Sequence, residues 1–432
     1  MDKGRKITKE MALEYHLGGK IALGLLTKLT NEVDLSLAYT PGVADVCKAI
    51  EHDHSTAYTY TAKRNTVAVV TDGTAVLGLG DIGPLASIPV MEGKAVLFKA
   101  FAGVDGWPVP LQSVRVNGET GRSDPDAFVK TAARLSIMYG GINIEDVAAP
   151  ECFEIEDRLR EMLDIPVFHD DQHGTAIISL AGLKNYLLLS GKDIGAIRIV
   201  ISGAGAAGIR IAELFRHAGA NDIMLCDSKG VIHDGRGDLT SQKKNFAVGT
   251  DCRTLGDAMK GADVFIGVSK PGVVSPAMIA SMADEPAVFA MANPIPEIMP
   301  EEVKAARSDA YIATGRSDYP NQINNVLGFP FIFRGALDVR ATDITVNMKI
   351  ACSDALAELA REEVPDYIGA AYGGIDLSFG RDYLIPKPFD RRVFVRASSA
   401  VAEAAMADSV ARETIDIDAY RAELEKRSGI LR

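Results

Sequence analysis

Six short apolar runs, each stopping on small or polar residues, constrain this 432-residue chain more than any other feature. Val67-Ala-Val-Val70 meets Thr71-Asp72-Gly73, Ile165-Pro-Val-Phe168 meets His169-Asp170-Asp171, and Ile197-Arg-Ile-Val-Ile201 meets Ser202-Gly203. Ile223-Met-Leu-Cys226 meets Asp227-Ser228, Val264–Val268 meets Ser269-Lys270, and Val288–Ala292 meets Asn293-Pro294. Amphipathic stretches separate them, the alternation expected of stacked βα units and a largely parallel sheet. Ligands of such sheets bind at the carboxyl ends of the strands, and here those ends hold the Asp, Asn, Ser and Gly residues that can do chemistry. The predicted class is α/β: a Rossmann-like dinucleotide-binding domain plus an α/β N-terminal substrate and metal domain, with a helical C-terminal tail. The expected divisions are 1–180, 181–380 and 381–432. Residues 1–30 read as helical, with Met11, Tyr15 and Leu17 leading into Ile21–Leu26, and Ser398–Met406 reads as a helix packed back onto the body.

Composition narrows the function classes. Hydrophobic content of 47% with 24% charged residues is that of a soluble globular protein. Tyr186–Ser190, the longest apolar candidate, is far short of the ~20 residues a membrane helix needs. The N-terminus lacks the apolar core of a secretory signal, so a cytoplasmic protein without membrane contact is expected. A net charge of −12 argues against nucleic-acid binding, which needs basic surface. The five cysteines show no Cys-x-x-Cys spacing, which disfavours disulfides and zinc, and at least four are expected as buried thiols.

Gly203-Ala-Gly-Ala-Ala-Gly208 leaves the strand Ile197–Ile201 and opens the helical stretch Ile209–His217. In that setting Gly203 permits the tight turn, Gly205 lets backbone approach a pyrophosphate, and Gly208 lets helix lie close to strand. Ala206 and Ala207 begin the helix, whose N-terminus favours an anion. Asp227 ends the next strand, where a ribose ligand sits. Ser228 and Lys229 follow it with a hydroxyl and a cation suited to a 2′-phosphate, which favours NADP and leaves NAD as the alternative.

Two acidic pairs, Glu145-Asp146 and Asp170-Asp171, precede the glycine turn. Clustered carboxylates suit a hard divalent cation such as Mg²⁺ or Mn²⁺. Glu145 and Asp146 are neighbours, so a strand end or loop is needed for both to reach one ion. His169 and His173 flank the second pair with no cysteine nearby, which points to packing or supporting roles rather than zinc.

Taken together, Ser36–Ala44, Gly78–Gly83, Glu92–Phe98, Ile144–Asp146, Phe168–Thr175, Asn293-Pro294, Asn321–Val326 and Ile385–Asp390 resemble the malic enzymes. The likeness is to the short-subunit, NADP-dependent bacterial form without the phosphotransacetylase-like domain into which many relatives continue. The resemblance implies oxidative decarboxylation of L-malate to pyruvate and CO₂. It makes Tyr39 the general acid and Lys94 the general base, with Asp170 partnered to Lys94. Glu145, Asp146 and Asp171 would bind the metal, and Asn293 and Asn325 the substrate. Thr175, Ser269, Gly315 and Asn293 are expected in the cofactor pocket. Lys94 must be neutral to take a proton, so its pKa is expected to fall from ~10.4 through burial and the metal, against the pull of Asp170. Longer family members carry an arginine before the Leu-Gly-Leu-Gly-Asp motif; Asp72–Val76 has none, leaving Arg316 and the metal as candidates for the distal carboxylate. The family implies a homodimer or larger homo-oligomer, and Tyr39 lies far enough upstream to reach a neighbouring subunit. Alternatives are malolactic chemistry, an amino-acid dehydrogenase, and a non-catalytic NADP-binding regulator.

Overall fold

The computed structural model describes residues 7–429 apart from 77, 119–120 and 375–376; the sequence reading of residues 1–6 lies outside these. All six apolar runs form strands. Four parallel strands make one sheet in the order β2-β1-β3-β4: β1 (Thr66–Thr71), β2 (Asp105–Pro110), β3 (Gly141–Ile144) and β4 (Val167–His169). A second sheet runs β10-β9-β8-β5-β6-β7, from β5 (Arg198–Ser202), β6 (Asp222–Asp227), β7 (Gly230–Val231), β8 (Val264–Gly267), β9 (Ala287–Ala290) and β10 (Tyr311–Thr314). Its pairs are parallel except β6 with β7.

Each sheet reverses direction beside its first strand. After β1 the chain adds β2 on one side and β3 on the other; after β5 it adds β6 on one side and β8 on the other. At such a switch point two connections leave in opposite directions and open a crevice above the strand ends. The acidic pairs lie at the ends of β3 and β4, and the glycine turn follows β5.

A long helix, Asp170–Ser190, leads from the first sheet to the second. It has almost no amphipathic character in sequence because most of its length is buried, including Ile177, Ile178, Leu180, Leu183 and Tyr186. The helix Val346–Arg361 packs along it, the helix Arg392–Ala407 packs on Val346–Arg361 and on Phe329–Asp338, and the last helix, Ile417–Ser428, packs on Arg392–Ala407. The expected return of the tail is thus observed. Beneath the first crevice, Phe98 meets Phe329 and Phe333 at ring-centroid distances of 4.8 and 5.3 Å, and Phe168 meets Phe333 at 5.9 Å. Edge-on aromatic packing of this kind gives the site a stiff floor.

Two expectations fail. Among the described residues 7–30 the N-terminal segment is helical only over Lys9–Tyr15, with Glu32–Ala38 the next helix. Gly18 and Gly19 both adopt φ of 82°, which breaks the helix, and no residue from 7 to 65 is buried. Without a tertiary surface to cover, apolar residues do not sustain a helix of that length. Among the cysteines, Cys152, Cys226 and Cys352 are buried, whereas Cys252 is half-buried and Cys47 exposed.

Candidate active site

Glu145 and Asp146 follow β3 directly, and the chain turns there: Asp146 has φ of 54°, in the left-handed region. Aspartate tolerates this conformation better than most residues, and strain of this sort collects at functional sites. The turn solves the problem of adjacent side chains. Glu145, Asp146 and Asp171 each present a carboxylate oxygen, all within 4.8 Å of one another. Three oxygens at that spacing fit one hard cation, so the residues present suit the divalent ion that the sequence implies.

Lys94 enters from the helix Gly83–Ala102. Its Nζ lies 2.6 Å from Asp170 Oδ2 and 2.9 Å from Glu145 Oε1, with a side chain 11% exposed, and it stands 4.3 Å from the centre of the Phe329 ring. Burial would lower its pKa, but Asp170, Glu145 and Asp171 outweigh burial and hold the amine well above the usual lysine range. The expected depression is therefore not a property of the protein groups alone. Glu145 is raised well above the usual carboxylate value by burial and by Asp171, Asp170 and Asp146, against the pull of Lys94. Asp171 is lowered: burial opposes ionisation, but His169, Lys94 and the Asp146 amide favour it.

Asn325 donates to Asp170 Oδ2 at 3.1 Å and accepts from Thr175 Oγ1 at 2.9 Å, which brings both predicted residues to the Lys94–Asp170 pair. Gly174 is required for this arrangement, because a Cβ there would lie 2.1 Å from Asp170 Oδ1. Asn143, not anticipated from sequence, donates to Glu145 Oε2 at 2.8 Å. Asn293 is exposed; its amide nitrogen lies 2.7 Å from where a Cβ on Gly315 would stand, and its carbonyl approaches Gly78. Tyr39 is not gathered into this cluster. It caps the helix Glu32–Ala38 and is 71% exposed.

At the second switch point Gly203 has φ of 114°, and a Cβ there would meet Val268 O at 2.5 Å. Gly208 is closed in more tightly, with a Cβ only 1.7 Å from Gly203 O, while a Cβ on Gly205 meets nothing within 4 Å. Ala206 and Ala207 open the helix Ala206–His217, whose Ile211, Leu214 and Phe215 are buried as their spacing predicted. Ser269 donates its backbone N–H to Glu297 at 2.8 Å and its hydroxyl lies 3.1 Å from Ser202.

The cations around Asp227 differ from those expected. Lys229 reaches its amine to Asp238 at 2.6 Å and is 66% exposed; only its backbone N–H binds Asp227. Arg236 grips Asp227 with two nitrogens at 2.8 and 3.0 Å, and Lys243 adds a third contact at 2.7 Å. These ligands hold the Asp227 carboxyl down at about 2 despite burial. Arg236 and Lys243 come from beyond β7, too far along the chain for a strand-end motif to reveal them. Arg316 is engaged by Asp318 at 2.9 and 2.6 Å. Arg115, buried beside the stretch that lacks the family arginine, donates to Asp72 O at 2.8 Å and to Asp81 at 2.9 Å.

Two sheets, parallel but for the β6–β7 pair, each with a candidate site at its switch point, one built of carboxylates around a lysine and the other of glycines around a helix N-terminus, define an α/β protein of the dinucleotide-binding fold class. The families described as malic enzyme, N-terminal domain, and malic enzyme, NAD binding domain, match residues 20–160 and 172–372. An NADP-dependent malic enzyme of Rhizobium meliloti is 54% identical over 98% of this chain, and one of Halomonas elongata is 53% identical over 94%. The chain spans 55% of the length of the first relative and 95% of the second. The crystal structure of a malic enzyme from Pyrococcus horikoshii superimposes with a TM-score of 0.87 at 41% identity, covering 98% of this chain and 96% of that one. The chain belongs to the malic enzyme family.

Proposed function

We propose that the protein oxidatively decarboxylates L-malate to pyruvate and CO₂, reducing NADP⁺, with Mg²⁺ or Mn²⁺ required. The observation that carries this reading is Lys94, bridged between Asp170 and Glu145 beside three carboxylates that can share one cation. When bound, NADP⁺ supplies a hydride acceptor and the divalent ion a Lewis acid for a chelating substrate. Glu145, Asp146 and Asp171 would hold that ion. Lys94 takes the proton of the C2 hydroxyl, and Asp170, itself held by Asn325, keeps the amine aimed. A cation held by Glu145 and Asp171 would offset two of the three carboxylates that raise Lys94, the direction that favours a neutral amine.

Tyr39 is the proposed proton donor to C3. Its exposure on a segment without buried residues supports a homodimer or larger assembly in which it serves a neighbouring subunit. Leu23, Leu25, Leu26 and Leu37 of the same segment are exposed too, and apolar surface of that extent is normally covered by a partner. The NADP preference is supported by Arg236 and Lys243, which neutralise Asp227 and place cations where a 2′-phosphate is recognised. Asn293, Asn325 and Thr175 are proposed around the substrate and nicotinamide, and Ser269 and Gly315 on the cofactor side. The proposed divisions are a catalytic domain over 1–180, a dinucleotide domain over 181–380 and a tail over 381–432, a reading supported by the two sheets flanking the helix Asp170–Ser190. Among the described residues no helix is long and apolar enough to cross a membrane. Free cysteines accord with the cytoplasm.

The test is a parallel assay with malate, Mn²⁺ and either NAD⁺ or NADP⁺, on the native protein and on Lys94→Ala. Formation of NADPH and pyruvate that vanishes in the variant is expected. Malate consumed without reduced nicotinamide would reassign the chemistry to malate-to-lactate conversion, and turnover that survives EDTA would remove the cation.

A further inference from the structure

Behind the cation cluster, a chain of buried polar groups runs from Asp171 into the dinucleotide domain. His169 Nε2 lies 3.1 Å from Asp171 Oδ2, His169 Nδ1 lies 2.7 Å from Gln172 Nε2, and Gln172 Oε1 accepts from Arg210 Nε at 2.7 Å. Gln172 Nε2 also donates to the carbonyl of Cys152 at 3.3 Å. Gln172 and His169 are fully buried. Arg210 belongs to Ala206–His217, the helix that follows the glycine turn, one turn beyond its start.

Arg210 is clamped on its far side. Its guanidinium donates to Glu213 at 2.7 Å and to Glu156 at 3.4 Å, and stacks 5.2 Å from the Phe153 ring. Glu156 is buried too and is further held by His173 at 2.8 Å, while the buried Lys349 lies 3.1 Å from His173. Three helices, Glu151–Met162, Asp170–Ser190 and Ala206–His217, therefore meet at this one side chain.

Chemistry gives the chain a direction. A guanidinium only donates, so the oxygen of the Gln172 amide must face Arg210 and its hydrogens must face His169. The His169 Nδ1 is then an acceptor, and the ring's proton sits on Nε2, from which it is donated to Asp171. Asp171 Oδ2 also accepts the Asp146 N–H at 2.7 Å, so both bonds fall on one oxygen and Oδ1 is left for a cation.

We propose that Gln172 and Arg210 are positioning residues for the cation site: Arg210, a residue of the dinucleotide domain, orients Gln172, which fixes the His169 tautomer that holds Asp171 in its ligating rotamer. This rests on Asp171 being a cation ligand. Supporting groups of this kind fix the orientation of ligating side chains, and losing one costs about 10–100-fold in metal affinity.

The experiment is an electron paramagnetic resonance titration with Mn²⁺ alone on the intact protein, comparing native, Asp171→Ala, Gln172→Met and Arg210→Lys forms. NADP⁺ affinity without metal and melting temperature are measured alongside. Gln172→Met is expected to weaken Mn²⁺ by about 10–100-fold, Arg210→Lys by a smaller factor, and NADP⁺ affinity in Gln172→Met to stay within about threefold of native. A strong loss in Asp171→Ala with native Mn²⁺ affinity in Gln172→Met overturns the proposal and leaves the cation site standing. Native affinity in Asp171→Ala removes the cation site itself. Should Gln172→Met fail to fold, Arg210→Lys decides: weakened Mn²⁺ binding with NADP⁺ affinity within about threefold of native supports the chain, and native Mn²⁺ affinity overturns it.

Discussion

Gly205 and Gly208 stand three residues apart in one motif, yet the structure assigns their substitutions opposite consequences. A Cβ on Gly208 would sit 1.7 Å from Gly203 O, at least about 1.3 Å inside the closest contact real Cβ atoms make. The obstacle is a backbone carbonyl at the end of β5, which cannot swing aside, so the helix Ala206–His217 must lift from the sheet. Forced packing of this kind costs about 1–3 kcal/mol. In a domain of about 200 residues, the size proposed for 181–380, each 1 kcal/mol lowers the melting temperature by about 2–4 °C, so Gly208→Ala should melt about 4–12 °C below native at the upper part of that range. Gly205→Ala meets nothing within 4 Å and has φ of −93°, which any residue adopts. Its melting temperature should stay within about 1–2 °C of native, typical of substitutions that strain nothing. The same Cβ nevertheless occupies the side of the turn that must stay bare for a pyrophosphate, so NADP⁺ affinity should fall at least about tenfold. Differential scanning fluorimetry and a fluorescence titration with NADP⁺ measure the two effects. Equal melting temperatures for the two variants, or unaltered NADP⁺ binding by Gly205→Ala, would refute this division of labour.

Lys94→Ala should abolish malate oxidation while NADP⁺ affinity changes by less than about threefold, since the lysine contacts Glu145 and Asp170 and no part of the glycine turn; retained turnover would remove it as the base. Arg236→Ala should weaken NADP⁺ more than NAD⁺, because it withdraws a cation from the end of β6 and frees Asp227 to repel a 2′-phosphate; parallel titrations showing equal losses would contradict this. Mn²⁺ affinity should depend on pH in a direction set by Glu145. Its folded-state pKa is raised, so protons compete with the metal at higher pH than for an ordinary glutamate. Affinity therefore falls as pH drops through that raised value and levels off above it. Calorimetric titrations that are flat from the usual carboxylate range to neutrality would count against it.

What the sequence disclosed follows from how local each signal is. A β-branched run that ends on Asp or Gly carries its own strand and its own strand end, so the positions of Asp72, Asp171, Gly203 and Asp227 were readable from order alone. The convergence of Glu145 with Asp146 was foreseen as a need for irregular backbone, and the left-handed turn at Asp146 supplies it. Groups that arrive from distant sequence were not visible. Arg236 and Lys243 reach Asp227 from beyond β7, and Arg210 meets Gln172 across two helices. Gly174, between His173 and Thr175 in a buried helix, has a role that depends on Asp170 and on Asn325 being brought against it. The N-terminal segment misled for the converse reason. Its apolar residues were read as helical, but none from 7 to 65 is buried in this chain, and two left-handed glycines interrupt the run.

The proposed chemistry requires Glu145, Asp146 and Asp171 to share one divalent ion beside Lys94. Crystals grown with Mn²⁺ and measured at the manganese absorption edge address this directly. A single anomalous peak within about 2.0–2.4 Å of one oxygen from each of the three carboxylates is the predicted result. A peak bound elsewhere, or one that leaves Asp171 unligated, would contradict it.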